Sequence, residues 1–452
     1  MKFLRNYSEF IIIPIILIFT LFLSYFFYKK SEPCDYREFF ANDKIHTISI
    51  KTSDADLKNL LDNPVYKTNH HADVSFDGEK FKDVAFSTRG NASLIQIAGS
   101  GTEKYSYKIK FDTFHKNQSF YGLDKLVLNS NQSDSSKIKD YMAYRLMAET
   151  EAEAPKMAFT ELFLNDESRG VYLAIEGIDR SFAERGANSS EVALFKPSPT
   201  GSDQDLIRDR TERLMSGESL DIETIPESPD YDSEGADLVY RGDDPELYSA
   251  IFENEVFKTS PASRTRVIEA IKALAKGENV EEYWDIDSLA RYFAAHNFIM
   301  NGDSYTGLTA QNYYLLLRNG RLSLLPWDYD LAYQGAWVYD QEIIDKGIIN
   351  YSIDEPLMSV TPEERPLWKA LSENPEFMDK YHARLQILID NYVFSGRMDE
   401  EIDSILSRLE SYVESDTTLP ENRVEIFKNE VEYIRNFISA RAESVQNQLW
   451  SL

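Results

Sequence analysis

The stretch whose reading decides the fold runs from Tyr292 to Gly335: YFAAHNFIMNGDSYTGLTAQNYYLLLRNGRLSLLPWDYDLAYQG. Its first part has apolar residues at helical spacing and belongs to a helix over 286–300. A polar loop follows, carrying Asp303 and Asn312. Two apolar runs come next, separated by Asn319-Gly320, a dipeptide that favours two-residue hairpin turns. The second run delivers Trp327-Asp328-Tyr329-Asp330. Asp303, Asn312, Asp328 and Asp330 are hard oxygen donors at the ends of one helix and two strands, the donor type that magnesium prefers.

Upstream of this stretch the pattern is strand-rich. His46 to Lys51 alternates as a short strand, and Asp54 to Leu61 reads as a helix stopped by Asn63-Pro64. Ala72 to Phe76 and Val84 to Arg89 flank Asp77-Gly78, a hairpin signal. Gly90 to Thr102 reads as loop. Lys104 to Phe111 alternates strictly, and Leu123 to Leu128 forms a further strand. A helix follows Ser133, with Asp134 a candidate cap. Ala158 to Leu164 and Gly170 to Ile175 pair across Asn165-Asp166. Residues 198–248 carry Asp, Glu, Ser and Pro clusters and read as an acidic insert. Helices follow at about 245–257, 263–275 and 286–300, and amphipathic helices fill the chain from Arg365 to the end. The fold class expected is α+β, with a strand-rich half over about 46–180 and a helical half over about 249–452.

The chain of 452 residues carries 76 acidic against 48 basic side chains, a formal charge of −28. Such a field repels nucleic acid, which is excluded as a partner. It also repels nucleotides at long range, so a nucleotide site needs locally gathered Lys and Arg together with divalent cations. The single cysteine, Cys34, excludes an intrachain disulfide and a cysteine-based zinc site. The six histidines show no metal-ligand spacing.

Residues 1–9 form a short tail, and Phe10 to Tyr28 is an uncharged run flanked by Lys2, Arg5, Lys29 and Lys30. A helix of this length spans about 28 Å, the thickness of a hydrocarbon core. The run ends without the small residues of a cleavage site, and Ser31-Glu32-Pro33 ahead of Cys34 is no lipid-attachment box. The expectation is an uncleaved transmembrane anchor over 10–28, a linker over 29–45, and a domain over 46–452 placed outside the cytoplasm, in the periplasm or at the cell surface.

The order helix, loop Asp and Asn, strand, strand, Asp is also the order in which protein kinases hold a nucleotide and its magnesium. In that pattern Asp328 binds metal, Asp330 binds a second ion, Asp303 orients the acceptor hydroxyl and Asn312 supports metal. The spacing from Asp303 to Asn312 is wider than in kinases, so the equivalence is positional. Lys104, Lys108 and Lys110 share one face of a strand and form a candidate phosphate grip. Arg89-Gly90-Asn91 ends the preceding strand, where Gly90 lets backbone approach a phosphate that Arg89 and Asn91 can bond. Glu176 falls where a kinase hinge meets adenine, and can equally bond Lys196 or a backbone amide. Each residue also has a plain reading: an Asp after a strand caps a turn, and a row of lysines is a solvated sheet face.

Taken together and in order, these segments resemble the CotH kinase family. The segments are Thr88-Arg89-Gly90-Asn91-Ala92-Ser93, Lys104 to Phe111, Phe163-Leu164-Asn165 with Gly170 to Glu176, Tyr240 to Asp244, Asn301-Gly302-Asp303 with Asn312-Tyr313-Tyr314, and Pro326 to Asp330. The resemblance implies an atypical protein-kinase-like two-lobed fold, here preceded by one transmembrane helix. It implies transfer of the ATP γ-phosphate to Ser or Thr of a protein, with Mg2+ or Mn2+ as cofactor. Asp303 is then catalytic, Asp328, Asn312 and Asp330 hold metal, and Lys104, Lys108, Arg89, Asn91 and Glu176 bind ATP. The partners expected are ATP, a protein substrate or envelope component, and the membrane through the N-terminal helix. The competing expectation is a non-catalytic cell-surface binding or structural protein that uses the kinase-like fold.

Overall fold

The computed structural model describes residues 36–41, 44–90, 92–100, 102–188, 191–198, 235–333 and 347–452. The 10–28 run, Asn91 and most of the acidic insert lie outside these. Seven strands come first: β1 His46–Thr52, β2 His70–Phe76, β3 Glu79–Arg89, β4 Ser106–Lys110, β5 Lys125–Asn129, β6 Met157–Leu164 and β7 Glu167–Glu176. They close into a barrel in the order β1-β2-β3-β4-β5-β7-β6. Side chains alternate across each strand. Ile48, Val74, Phe86, Tyr107, Leu126, Leu162 and Tyr172 point inward and share one buried cluster. The β2–β3 and β6–β7 connections turn on Asp77-Gly78 and Asn165-Asp166, all four with positive φ, as a two-residue turn matched to strand twist requires.

The ring is closed by β1 and β6, which run parallel with Ile48 opposite Leu162. This closure overturns the expected kinase-like two-lobed layout, while the transmembrane helix expected over 10–28 lies outside the described residues. The strand half is a closed seven-stranded barrel. Among the described residues no helix is long and apolar enough to cross a membrane. Hairpin chemistry reports only neighbours in sequence, so it carries no sign of a parallel pairing between segments as distant as 46–52 and 157–164.

Helices in the strand-rich half are α1 Asp54–Asp62, α2 Ala92–Ser100 and α3 Lys139–Glu149. The second replaces an expected loop. Leu94 and Ile97, three apart, bury one face of it, a helical spacing that the flanking glycines mask.

The remainder holds a three-stranded sheet in the order β10-β9-β8, from β8 Ala193–Phe195, β9 Tyr313–Arg318 and β10 Arg321–Pro326. Around it lie α4 Pro261–Lys276, α5 Ile286–Ile299, α6 Pro375–Leu388, α7 Arg397–Ser415 and α8 Arg423–Leu449. The main hydrophobic core joins these helices to α3 and to the outer wall of the barrel, through Val127, Phe159, Leu173 and Ile175. Described residues at the end of the acidic insert are packed, with Ala236 and Leu238 buried and the Ala236 carbonyl accepting from the Tyr313 hydroxyl at 2.6 Å.

Candidate active site

The WDYD turn is fixed from three sides. Asp328 follows β10 in the left-handed region, φ 58°, a strained conformation for a non-glycine residue that neighbours must hold. Its N–H donates to the Tyr144 hydroxyl of α3 at 3.3 Å, and its carbonyl accepts from the Asn301 amide at 3.4 Å. The next N–H, of Tyr329, donates to Asp140 Oδ1 at 2.6 Å. The buried Tyr329 hydroxyl meets His296 Nδ1 at 2.9 Å, and His296 Nε2 meets Ser304 Oγ at 3.1 Å and Thr306 Oγ1 at 2.9 Å. Burial drives His296 down to about 3, so the imidazole is neutral and acts as a strut between α5, the loop after it and the turn.

Four carboxylates act on one another here. Asp140 is nearly fully buried and takes a hydrogen bond from the Asn129 amide on the outer wall of β5 at 2.8 Å. Its proton affinity is raised by burial first and by the Asp328 charge second. Asp330 is pushed up to about 9 by burial, then by Asp328, Asp140 and Asp303. Asp303 is raised too, chiefly by burial. It accepts from Gln311 Nε2 on Oδ1 and from Asn312 Nδ2 on Oδ2, both at 2.8 Å. Asn312, itself at φ 57°, also donates to the Asp303 carbonyl at 2.9 Å. Its amide nitrogen is therefore engaged, and its oxygen is the atom left for a ligand.

Cations stand beside them. Arg89 ends β3 with its guanidinium 4.8 Å from the centre of the Trp327 ring and 3.7 Å from Asp328 Oδ2. Lys196, just past β8, lies 5.4 Å from Trp327 and 5.9 Å from Tyr314. Two cations on one indole are attracted to its faces while repelling each other. Burial and then the Arg89 charge bring Lys196 down to about 8. Lys108 falls to about 8 through burial and then the charges of Lys110, Lys125, Lys67 and Arg89.

The arrangement fits a divalent cation bridged to phosphate. Crowded carboxylates of raised proton affinity call for a positive partner, and desolvated lysines call for a negative one. Among the described residues no three His, Cys, Asp or Glu side chains are gathered closely enough to cage a metal by themselves. Magnesium sites at phosphates commonly use one or two carboxylates and complete the shell with phosphate oxygens and water. Asp328 and Asp330 suit that role, and the Asn312 oxygen, on the residue that holds Asp303, is a further donor.

Of the residues singled out in the sequence, Asp303, Asp328 and Asp330 act on one another, Asn312 holds Asp303, Arg89 lies beside Asp328, and Lys108 shares the outer face of the barrel wall with Arg89. Lys104 does not. It is buried and ion-paired with Asp416. Glu176 is also engaged: Oε1 takes the Tyr36 hydroxyl at 2.6 Å and Arg185 at 2.9 Å, and Oε2 takes the Lys156 N–H at 3.0 Å. Asn91 lies outside the described residues. Asp134 serves as a cap, accepting from the Lys139 N–H at 2.9 Å. Asp140 and Lys196 were not legible as site residues, although Asp140 falls in register with Ala143, Tyr144 and Met147 on the buried face of α3. A carboxylate in an apolar stripe was the available signal. Lys196 follows a three-residue strand too short to carry a period.

Residues 86–445 match the family described as CotH kinase protein. Over 358 residues the chain is 21% identical to the inner spore coat protein H of Bacillus subtilis (strain 168), an alignment covering 78% of this chain and 86% of that protein. Since the family match spans most of its length, the chain belongs to the CotH kinase protein family.

Proposed function

We propose that this protein transfers the γ-phosphoryl group of ATP to a Ser or Thr hydroxyl of a protein, with Mg2+ or Mn2+ bound between Asp328, Asp330 and the phosphates. The observation that carries the reading is a set of four carboxylates that act on one another, with Arg89 3.7 Å from Asp328 and both Arg89 and Lys196 on the Trp327 ring. Phosphoryl transfer asks chiefly for such charge stabilisation and positioning. The bond from the γ-phosphorus to the bridging oxygen breaks as a bond to the acceptor oxygen forms, and ADP leaves. Asp303, whose affinity for a proton is raised by burial, receives the hydroxyl proton. Arg89, Lys196 and Lys108 hold phosphate oxygens, and the cation supplies the remaining charge compensation.

The coat-protein name of the Bacillus subtilis relative supports a second reading, a structural component of a coat or outer layer. That reading places the protein outside the cytoplasm. The engagement of both Asp303 oxygens by Gln311 and Asn312 also favours it.

Thermal melting of the full chain with ATP and Mg2+, beside Asp328→Asn, separates the two. At a hundred times its dissociation constant a ligand stabilises by about 2.7 kcal/mol. A shift in the wild type that Asp328→Asn abolishes is the expected result. No shift in either protein would leave the structural role standing.

A further inference from the structure

A second gathering of cations lines a cavity of about 1090 Å3, walled by α3, the connection from it to β6, and α7. Six arginines and one lysine line it together with four glutamates. In a chain with 76 acidic against 48 basic side chains, cations prevail in few places. None of these belongs to the set of Arg89, Lys108 and Lys196 assigned to the phosphates. Phe40, Tyr141 and Met157, each half-buried, add apolar wall to the same cavity.

Its arginines are held in place. Arg145 of α3 ion-pairs with Glu401 of α7 at 2.8 Å and with Glu149 at 3.3 Å. The Glu401 carboxylate also takes the Tyr141 hydroxyl at 2.8 Å and the Tyr392 hydroxyl at 2.9 Å. Arg185 is held by Glu176 at 2.9 Å, and Arg318 by both oxygens of Glu153. These bonds orient the guanidiniums without exhausting them. A guanidinium carries five N–H donors, and Arg145 and Arg185 spend only part of theirs on carboxylates. Lys156 is exposed, and its ammonium has no ion-pair partner among the described residues. Glu400, also exposed on the lining, is likewise unpaired among them.

We infer that this cavity docks an acidic stretch of another protein, a peptide segment with carboxylates spaced along it, seated on Arg145, Arg185 and Lys156. The volume exceeds the roughly 300–1,000 Å3 of small-molecule pockets and suits a length of chain. Arginine favours planar carboxylates, which it binds through two parallel N–H bonds. The interleaved glutamates repel a polymer charged at every unit, and admit a chain whose negative groups are separated by apolar contacts. Tyr144 lines the same cavity, and its hydroxyl accepts from the Asp328 N–H, so a docked segment lies one side chain from the WDYD turn. Docking here does not depend on phosphotransfer.

Fluorescence anisotropy of the full chain without nucleotide tests this. The probes are a labelled peptide alternating Glu and Ser, its labelled counterpart alternating Gln and Ser, and citrate as a competitor. The Glu peptide is expected to bind at least about tenfold tighter than the Gln peptide and than citrate, and to weaken with added salt. Lys156→Gln removes an exposed cation and is expected to weaken it about threefold. Glu400→Gln removes an exposed carboxylate from the lining and is expected to tighten it about threefold, a gain that a misfolded variant cannot give. Equal binding of the Glu and Gln peptides would overturn the inference, as would citrate matching the Glu peptide. A Glu peptide whose affinity ignores both variants sits elsewhere, and that result overturns it too. Each of these outcomes leaves the phosphotransfer reading where it stands.

Discussion

A single carboxylate shows how the site works against its own stability. Asp330 has a proton affinity raised to about 9, first by burial. Between its ordinary value of 3.8 and that raised value the folded state binds more protons than the unfolded chain. Stability therefore falls as pH rises through this window, because the unfolded state ionises the group freely and the folded state does not. Asp330→Asn should flatten that fall and raise the melting temperature at pH 8 by about 1 °C, the shift produced by roughly 1 kcal/mol in a chain of this size. The same variant should lose most of the stabilisation given by Mg2+ and ATP. Melting curves across pH check both, and a variant that melts lower than the wild type at pH 8 would show Asp330 to be a structural carboxylate. At this scale the sequence was informative where residues sit beside turn chemistry, as Asp328 and Asp303 do. It was silent on Asp140, because a helix residue declares its partners only when the strand of Asn129 is known to pack beside it.

Between elements, the barrel is fastened to the helical half by a buried ion pair. Lys104, ahead of β4, reaches Asp416 at the end of α7, and both are almost completely shielded. Asp416 also accepts from the Thr418 N–H at 3.0 Å. Gly170 makes room for the pair: it sits at φ +76°, and an added Cβ would fall 2.1 Å from Asp416 Oδ2 and 3.0 Å from Lys104 Nζ. Removing one partner of a buried pair leaves an uncompensated charge and costs about 3–5 kcal/mol, whereas replacing both by apolar groups is far milder. Lys104→Met should thus destabilise strongly, and Lys104→Met with Asp416→Leu should recover most of the loss in a denaturant titration. Equal destabilisation by single and double variants would refute the pairing. The strict alternation of 104–111 revealed the strand but not this role. Lys104 lies just before β4, where the alternation no longer dictates direction.

For the molecule as a whole, the decisive contact joins β1 to both β2 and β6. Ser49 stands in the middle of β1, opposite Ser75 on one side and Phe163 on the other. Proline there removes a ladder donor and forces the backbone, a loss of about 3 kcal/mol or more. Ser49→Pro should lower the unfolding midpoint sharply and expose the barrel interior to a hydrophobic dye. A near-neutral effect would mean that β1 lies on a margin and the ring is open. Short-range features of the fold were legible, since three hairpin turns announce themselves as Asp-Gly, Asn-Asp and Asn-Gly. The closure was not. It depends on which distant apolar rows, such as Ile48 and Leu162, fill a shared interior, and no local signal encodes that choice.

The closed ring has a consequence for crowding. An open sheet ends in rows of unsatisfied N–H and C=O groups that can recruit a strand from a neighbouring chain. Each barrel strand here already has two partners, so the barrel offers no such template. Copies packed at high density would have to recognise one another, or anything else, through side chains on the outside of the ring. Those contacts can be tuned by charge and dissolved by salt, unlike backbone pairing, which would lock neighbours into fibres.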